Sequence, residues 1–222
     1  MIIPTIAIIP TRDRHAMLDE CYASIKDQVS HTIIIDNLSD PPFSSYLEHD
    51  NVNVIRIDLD PPNISQLWNI GIKCAKEIAD HLLAWNVAIF NSDVIVPEGW
   101  VDRIAQTMRQ TTAVLAYSDQ CGGNQMVLHT EAKPIDLRQR ITGYAYMLRG
   151  ESNLKLDETM KWWYSDDDLD WRARLMGGSL LVPGIPVEHR APNGSTNARI
   201  ELQEQASRDR ETFIKKWGKA PH

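Results

Sequence analysis

Three stretches of the 222-residue chain carry side chains able to do chemistry, and each is built on carboxylate or imidazole groups. Asn91-Ser92-Asp93 follows the apolar run Ala88-Ile89-Phe90. Pro97-Glu98-Gly99 marks the next helix start several residues on, so Asp93 is not needed as its cap. An acid at the end of a buried strand is instead a seat for a divalent cation, which takes hard oxygen ligands. The second stretch is the dense run Trp162-Trp163-Tyr164-Ser165-Asp166-Asp167-Asp168-Leu169-Asp170-Trp171-Arg172. Ser165 is a candidate helix cap, and acids in a first turn complement the helix dipole. Three consecutive aspartates repel one another, however, and one or two would satisfy that end. The preceding aromatics set the cluster against an apolar wall, which raises a carboxylate pKa, while the helix terminus pushes the other way. The cluster is a candidate general base. The third stretch is Val187-Glu188-His189-Arg190, ahead of a loop rich in Pro, Gly and Asn. One carboxylate with one imidazole suits Mn²⁺ better than Ca²⁺, with Mg²⁺ as the alternative, and leaves coordination positions that a diphosphate can fill.

The elements that must position these groups alternate in type. Thr5–Ile9, Thr32–Asp36, Val52–Ile57 and Trp85–Phe90 read as strands, the first two as continuous apolar runs of the kind buried on both faces. Helical spacing of apolar residues covers His15–Gln28, Asn63–Asp80 (with Asn63 or Ser65 as cap) and Glu98–Gln110. The order β-α-β-β-α-β-α predicts an α/β fold with a mostly parallel, doubly wound sheet flanked by helices. Ligands of such sheets sit beyond the carboxyl ends of the strands, which directs attention to 11–14, 36–37, 58–60 and 91–93. The second half is less regular: strands over Ala113–Ser118, Tyr144–Leu148 and Ser179–Val182, a helix over Asp166–Met176, and a polar helix from about Arg199 to Trp217. No repeat or linker divides the chain, so a single domain over 1–222 is expected. Within it, 1–110 is the regular half, 111–198 the less regular half, and 199–222 a C-terminal helix.

Composition narrows the classes. With 23 Lys+Arg against 30 Asp+Glu the net charge is −7, which disfavours broad electrostatic binding to nucleic acid or anionic membrane. Apolar stretches such as Thr32–Ile35 are far too short to span a bilayer. The start, Met1–Pro10, has no basic segment and argues against a signal peptide. Three cysteines (Cys21, Cys74, Cys121) form no CxxC pair, and the expectation is a reducing, cytoplasmic location. Several strings are decoys. Asp58-Leu59-Asp60 runs into Pro61-Pro62 and reads as a loop start, Gly122-Gly123 and Gly177-Gly178 lack phosphate-loop spacing, and no GxSxG is present. Asp36, taken alone, is a turn-starting acid.

Taken together, Ile9-Pro10-Thr11-Arg12-Asp13-Arg14, Ile35-Asp36-Asn37, Asn69-Ile70-Gly71, Asn91-Ser92-Asp93, the 166–172 string and Val187-Glu188-His189 form an ordered series. In that series the chain resembles the GT-A glycosyltransferases, most of all the family-2-like inverting enzymes, over most of 6–196. The resemblance implies transfer of a sugar from a nucleoside-diphosphate sugar, a UDP-sugar by default, to an acceptor hydroxyl. It makes 1–110 the nucleotide-binding half and 111–198 the acceptor and catalytic half, and places Thr11, Arg12, Asp36, Asn69 and Asn91 around the donor, with Asp93 and His189 on Mn²⁺ or Mg²⁺. Asp166 matches the catalytic base of the family. Two departures stand out: Asn91 replaces the first acid of the family's D-x-D, and Ser165 replaces the acid before the base, which leaves the base open between Asp166 and Asp167. Trp163 and Tyr164 are expected at the acceptor, whose hydroxyl belongs to a saccharide, a protein or a modified nucleobase. Two other readings compete: a non-catalytic nucleotide-sugar-binding protein of the same fold, and a sugar nucleotidyltransferase, which the glycine-free Thr11–Arg14 disfavours. The loop Arg190–Asn197 is a candidate cover for the donor.

Overall fold

The computed structural model describes residues 3–43, 49–192 and 194–221; Asn193, within the loop expected to cover the donor, lies outside them. Four strands, β1 (Thr5–Thr11), β2 (His31–Asn37), β3 (Val52–Ile57) and β4 (Asn86–Phe90), lie parallel in the order β3-β2-β1-β4. Every residue of β1 is buried, because helices cover both faces of the sheet. Its side chains alternate between two cores. Ala7 and Ile9 join α1 (His15–Ile25) and α3 (Trp100–Arg109) on one side, whereas Ile6 and Ile8 join α2 (Ile64–Ile78) on the other.

Beyond β4 the sheet changes direction. The short pair member β5 (Val94–Ile95) leaves the sheet, and β6 (Leu115–Ser118), β7 (Val127–His129), β8 (Ala145–Arg149) and β9 (Ser179–Val182) complete it. The full order is β3-β2-β1-β4-β8-β6-β9-β7, with β8 antiparallel to β4 and β6. β9 runs parallel to β6, and β7 closes the edge antiparallel to β9. The sheet is therefore mostly parallel and continuous through one domain. α4 (Ser165–Met176) packs Leu169 and Ala173 on the α2 side. β10 (Glu188–His189) pairs antiparallel with β5, and the five-residue α5 (Gly194–Ala198) leads into α6 (Ile200–Trp217).

Boundaries follow local chemistry. Asn63 caps α2 through its side chain, accepting from the Gln66 N–H at 3.1 Å, a contact worth about 1 kcal/mol. The expected cap Ser165 instead lies inside α4. The cap position is Tyr164, held in the left-handed region at φ 67° with no side-chain cap bond. β5, β7 and β10 are too short to show a period in sequence.

The Asn69-Ile70-Gly71 string has a packing explanation. α2 crosses β1 so closely that a Cβ on Gly71 would stand 2.4 Å from Cγ2 of Ile8. Overpacking of a β-branched core neighbour costs about 1–3 kcal/mol. Gly71→Ala is therefore expected to lower unfolding free energy by about 2 kcal/mol in urea titration, an effect the higher helix propensity of alanine only partly offsets.

Candidate active site

A cleft of about 440 Å³ opens over the carboxyl ends of β1, β2 and β4. Thr11, Arg12, Arg14, Asn37, Asn91, Asp93, Asp166 and His189 all line it, as do Trp68, Trp163 and Tyr164. The fold thus gathers most of the residues singled out by sequence, from segments spread along the chain.

Asp93 sits at the floor. Its side chain is 6% exposed, with Oδ2 accepting from the Arg14 guanidinium at 2.7 Å and Oδ1 lying 3.3 Å from His189 Nε2. Burial pushes its pKa up, but the hydrogen bond and charge of His189 and the charge of Arg14 outweigh burial, and the net direction is down. Asp93 is held as a carboxylate. His189 reaches it through the β5–β10 pair, in which His189 stands opposite Val94 and Arg190 N–H donates to the Asp93 carbonyl at 2.9 Å. Tyr144 fixes the imidazole from the side, ring centroids 4.2 Å apart. A buried carboxylate oxygen and an imidazole nitrogen facing one cleft fit Mn²⁺ or Mg²⁺ as donors. Among the described residues no cluster of three or more His, Cys, Asp or Glu side chains is placed to hold an ion.

The aspartate run at the start of α4 is sorted by its partners. Asp167 is buried and bound bidentately by Arg140, Asp168 pairs with Arg172 and Lys216, and Asp170 pairs with Arg174. Burial and the neighbouring charge of Asp166 push the Asp167 carboxyl up to about 7, against the pull of Arg140. Asp166 lines the cleft, across from Gly143, where a Cβ would come within 2.5 Å of Asp166 Oδ2. The mutual repulsion expected of the run is thus relieved by arginines, and the half-buried Asp166 faces the open space.

Two sequence-derived donor residues lie elsewhere. Asp36 does not line the cleft: Oδ1 accepts from Ser39 N–H at 2.9 Å and Oδ2 from Arg56 at 2.7 Å, so it organises the turn after β2 while the next residue, Asn37, reaches the cleft wall. Asn69 bonds the backbone of Leu156 in both directions at 2.8 and 2.9 Å, and ties α2 to the segment before α4. Thr11 and Arg12 line the cleft. Thr11 Oγ1 and Trp68 Nε1 are buried in the cleft wall with no hydrogen-bond partner among the described residues, which marks them as groups that a polar ligand would satisfy.

The aromatic wall is anchored from behind. Asp209, fully buried on α6, accepts backbone N–H bonds from Lys161 (3.1 Å), Trp162 (2.7 Å) and Trp163 (2.9 Å). In front, the indole N–H groups of Trp162 and Trp163 donate to Thr196 Oγ1 of α5 at 2.8 and 3.4 Å. Sequence reasoning passed over Asp209, although it shares the inward face of α6 with Leu202 and Phe213. Arg14 and Thr196 stood only within wider segments, 11–14 and 190–197, and Trp68 only on a helix face, because their individual roles depend on pairings across the fold.

A doubly wound sheet with a carboxylate-and-imidazole cleft at its switch from parallel to antiparallel strands is the architecture of the GT-A glycosyltransferases. The chain belongs to glycosyl transferase family 2, whose model matches residues 6–169, and it is a glycosyltransferase. Its fold is shared with TarS from S. aureus. The crystal structure of TarS 1–349 with UDP superposes with a TM-score of 0.64 at 12% identity, covering 96% of this chain and 71% of that one. TarS 1–349 with UDP-GlcNAc gives 0.62 at 12% identity, covering 97% and 82%. A longer TarS structure gives 0.61 at 11% identity, with 96% of this chain covering 43% of that one. No curated protein matches the chain.

Removing the Asp209 carboxylate leaves the N–H groups of Lys161, Trp162 and Trp163 without their acceptor. Asp209→Ala is expected to cost about 3 kcal/mol of unfolding free energy, read by urea titration, and to red-shift tryptophan emission in the native baseline as the Trp162–Trp163 segment loosens. An unchanged native emission spectrum would show that α6 does not hold the wall.

Proposed function

We propose that the chain is a metal-dependent inverting glycosyltransferase that moves a sugar from a nucleoside-diphosphate sugar to an acceptor hydroxyl. The observation that carries this reading is the placement of Asp93 with His189 and of Asp166 in the wall of one cleft. The UDP and UDP-GlcNAc bound by TarS, whose fold is shared, favour a uridine donor. Asp93 and His189 would hold Mn²⁺ or Mg²⁺, which when bound neutralises charge developing on a departing diphosphate. Thr11, Arg12, Asn37 and Asn91 line the side of the cleft built by β1, β2 and β4, and there they orient the nucleotide.

Asp166 acts as general base, taking the acceptor proton as the hydroxyl attacks the anomeric carbon opposite the leaving group. Asp167 is unsuited to that task because Arg140 occupies both its oxygens. A single displacement of this geometry inverts the anomeric centre. Trp163 and Tyr164, beside Asp166, present flat apolar faces for the acceptor, a hydroxyl on a saccharide, protein or modified nucleobase. The short helix α5, bonded to Trp162, Trp163 and Arg14, covers the cleft and limits access of water.

We further place the protein in the cytoplasm. The three cysteines are unpaired, and among the described residues no helix is long and apolar enough to cross a membrane.

With Mn²⁺ present, one nucleoside diphosphate is expected to raise the melting temperature selectively, and Asp93→Ala to abolish that rise. Asp166→Asn is expected to keep the rise and lower sugar transfer or slow donor hydrolysis by about 10²–10⁴-fold in a nucleotide-release assay across nucleotide sugars. Equal melting with every nucleotide counts against the donor assignment, and full activity of Asp166→Asn against the base. Selective nucleotide binding without transfer or hydrolysis would instead mark a binding protein.

A further inference from the structure

The Arg14 guanidinium is placed where a second positive charge would have to enter. It forks between two partners, NH1 on Asp93 Oδ2 at 2.7 Å and NH2 on Ser195 Oγ at 2.8 Å. The residue that follows β4 is the neutral Asn91, and among the described residues no third acidic or imidazole donor joins Asp93 and His189. One carboxylate therefore serves both the arginine and, under the reading above, the metal. A guanidinium directly on one carboxylate oxygen repels a divalent cation approaching that carboxylate in a desolvated site.

We infer that Arg14 and the divalent cation compete for Asp93, so that Arg14 sets metal affinity and keeps it low until a nucleoside diphosphate is bound. This rests on the assignment of Asp93 and His189 as metal ligands. The diphosphate resolves the competition in two ways. Its oxygens add the ligands that the protein lacks, and its negative charge gives the guanidinium a partner other than Asp93. Nucleotide and metal then bind cooperatively, each tightening the other by the same factor. Arg14 is in this sense a positioning residue. It guards the floor of the cleft with its own charge and exchanges that post for the phosphates.

Direct Mn²⁺ titration followed by electron paramagnetic resonance, with and without UDP, tests this on the whole chain. In the absence of nucleotide, Arg14→Gln is expected to bind Mn²⁺ about tenfold more tightly than the unaltered protein, the size expected for release of a partly buried ion pair. The same variant should bind UDP about tenfold more weakly in EDTA, read by calorimetry, and show less mutual tightening of Mn²⁺ and UDP. Arg14→Lys retains the charge but not the fork, and should fall between the two; it also carries the test if Arg14→Gln misfolds. A merely structural arginine would give the opposite sign, because its loss would loosen the Asp93–His189 pair and weaken Mn²⁺ binding. Unchanged or weaker Mn²⁺ binding in the folded variants overturns the inference while leaving the metal site standing. No Mn²⁺ binding by the unaltered protein even with UDP bound overturns the metal assignment itself, and the competition with it.

Discussion

A carboxylate withdrawn from water at the bottom of a cleft needs charge or hydrogen bonds to hold it, and Asp93 finds its partners in segments far apart in the chain. Arg14, just after the first strand, and His189, in the last, converge on its two oxygens. Those contacts outweigh the cost of burial and keep Asp93 ionised. They also tie the carboxyl end of β1, the turn after β4 and the β5–β10 ribbon into one rigid floor. The cleft walls are built outward from this point, and so are the positions of everything a donor would touch.

The second cluster of acids is arranged by the same logic with the opposite result. Asp167, Asp168 and Asp170 each receive cationic partners and are turned into structure: Arg140, Arg172 with Lys216, and Arg174. Neutralising those three leaves Asp166 as the member of the run that lines the cleft. A strained residue, Tyr164 at φ 67°, sets the start of α4 so that this happens. The strain is sustained by Asp209 of α6, which gathers the N–H groups of the three residues before Tyr164. The C-terminal helix thus supports the aromatic side of the cleft without lining it.

Much of the fold was legible because it depends on local periodicity. The apolar runs in β1 and β2, the alternation of β3 and the helical spacing in α1, α2 and α3 define their elements within a few residues, and the element order defines the doubly wound sheet. Ser165 misled because a serine before acids has the composition of a cap, whereas the chain reaches the helix through a left-handed Tyr164. Asp36 and Asn69 stand away from the cleft wall for a related reason. Each has the right residue type at the right strand or helix, but Arg56 and the Leu156 backbone claim their polar atoms, and sequence does not show which partner a side chain turns toward.

The sequence by itself determined the layers, the strand ends and the chemical types at those ends, since hydrophobic period and turn chemistry act over a few neighbouring residues. Tertiary structure alone decided which groups meet: the register that sets His189 opposite Val94, the arginines that claim three of four aspartates, and the fork of Arg14 between Asp93 and Ser195. Those choices depend on charge neutralisation in buried sites between segments far apart in the chain, and no local pattern encodes them.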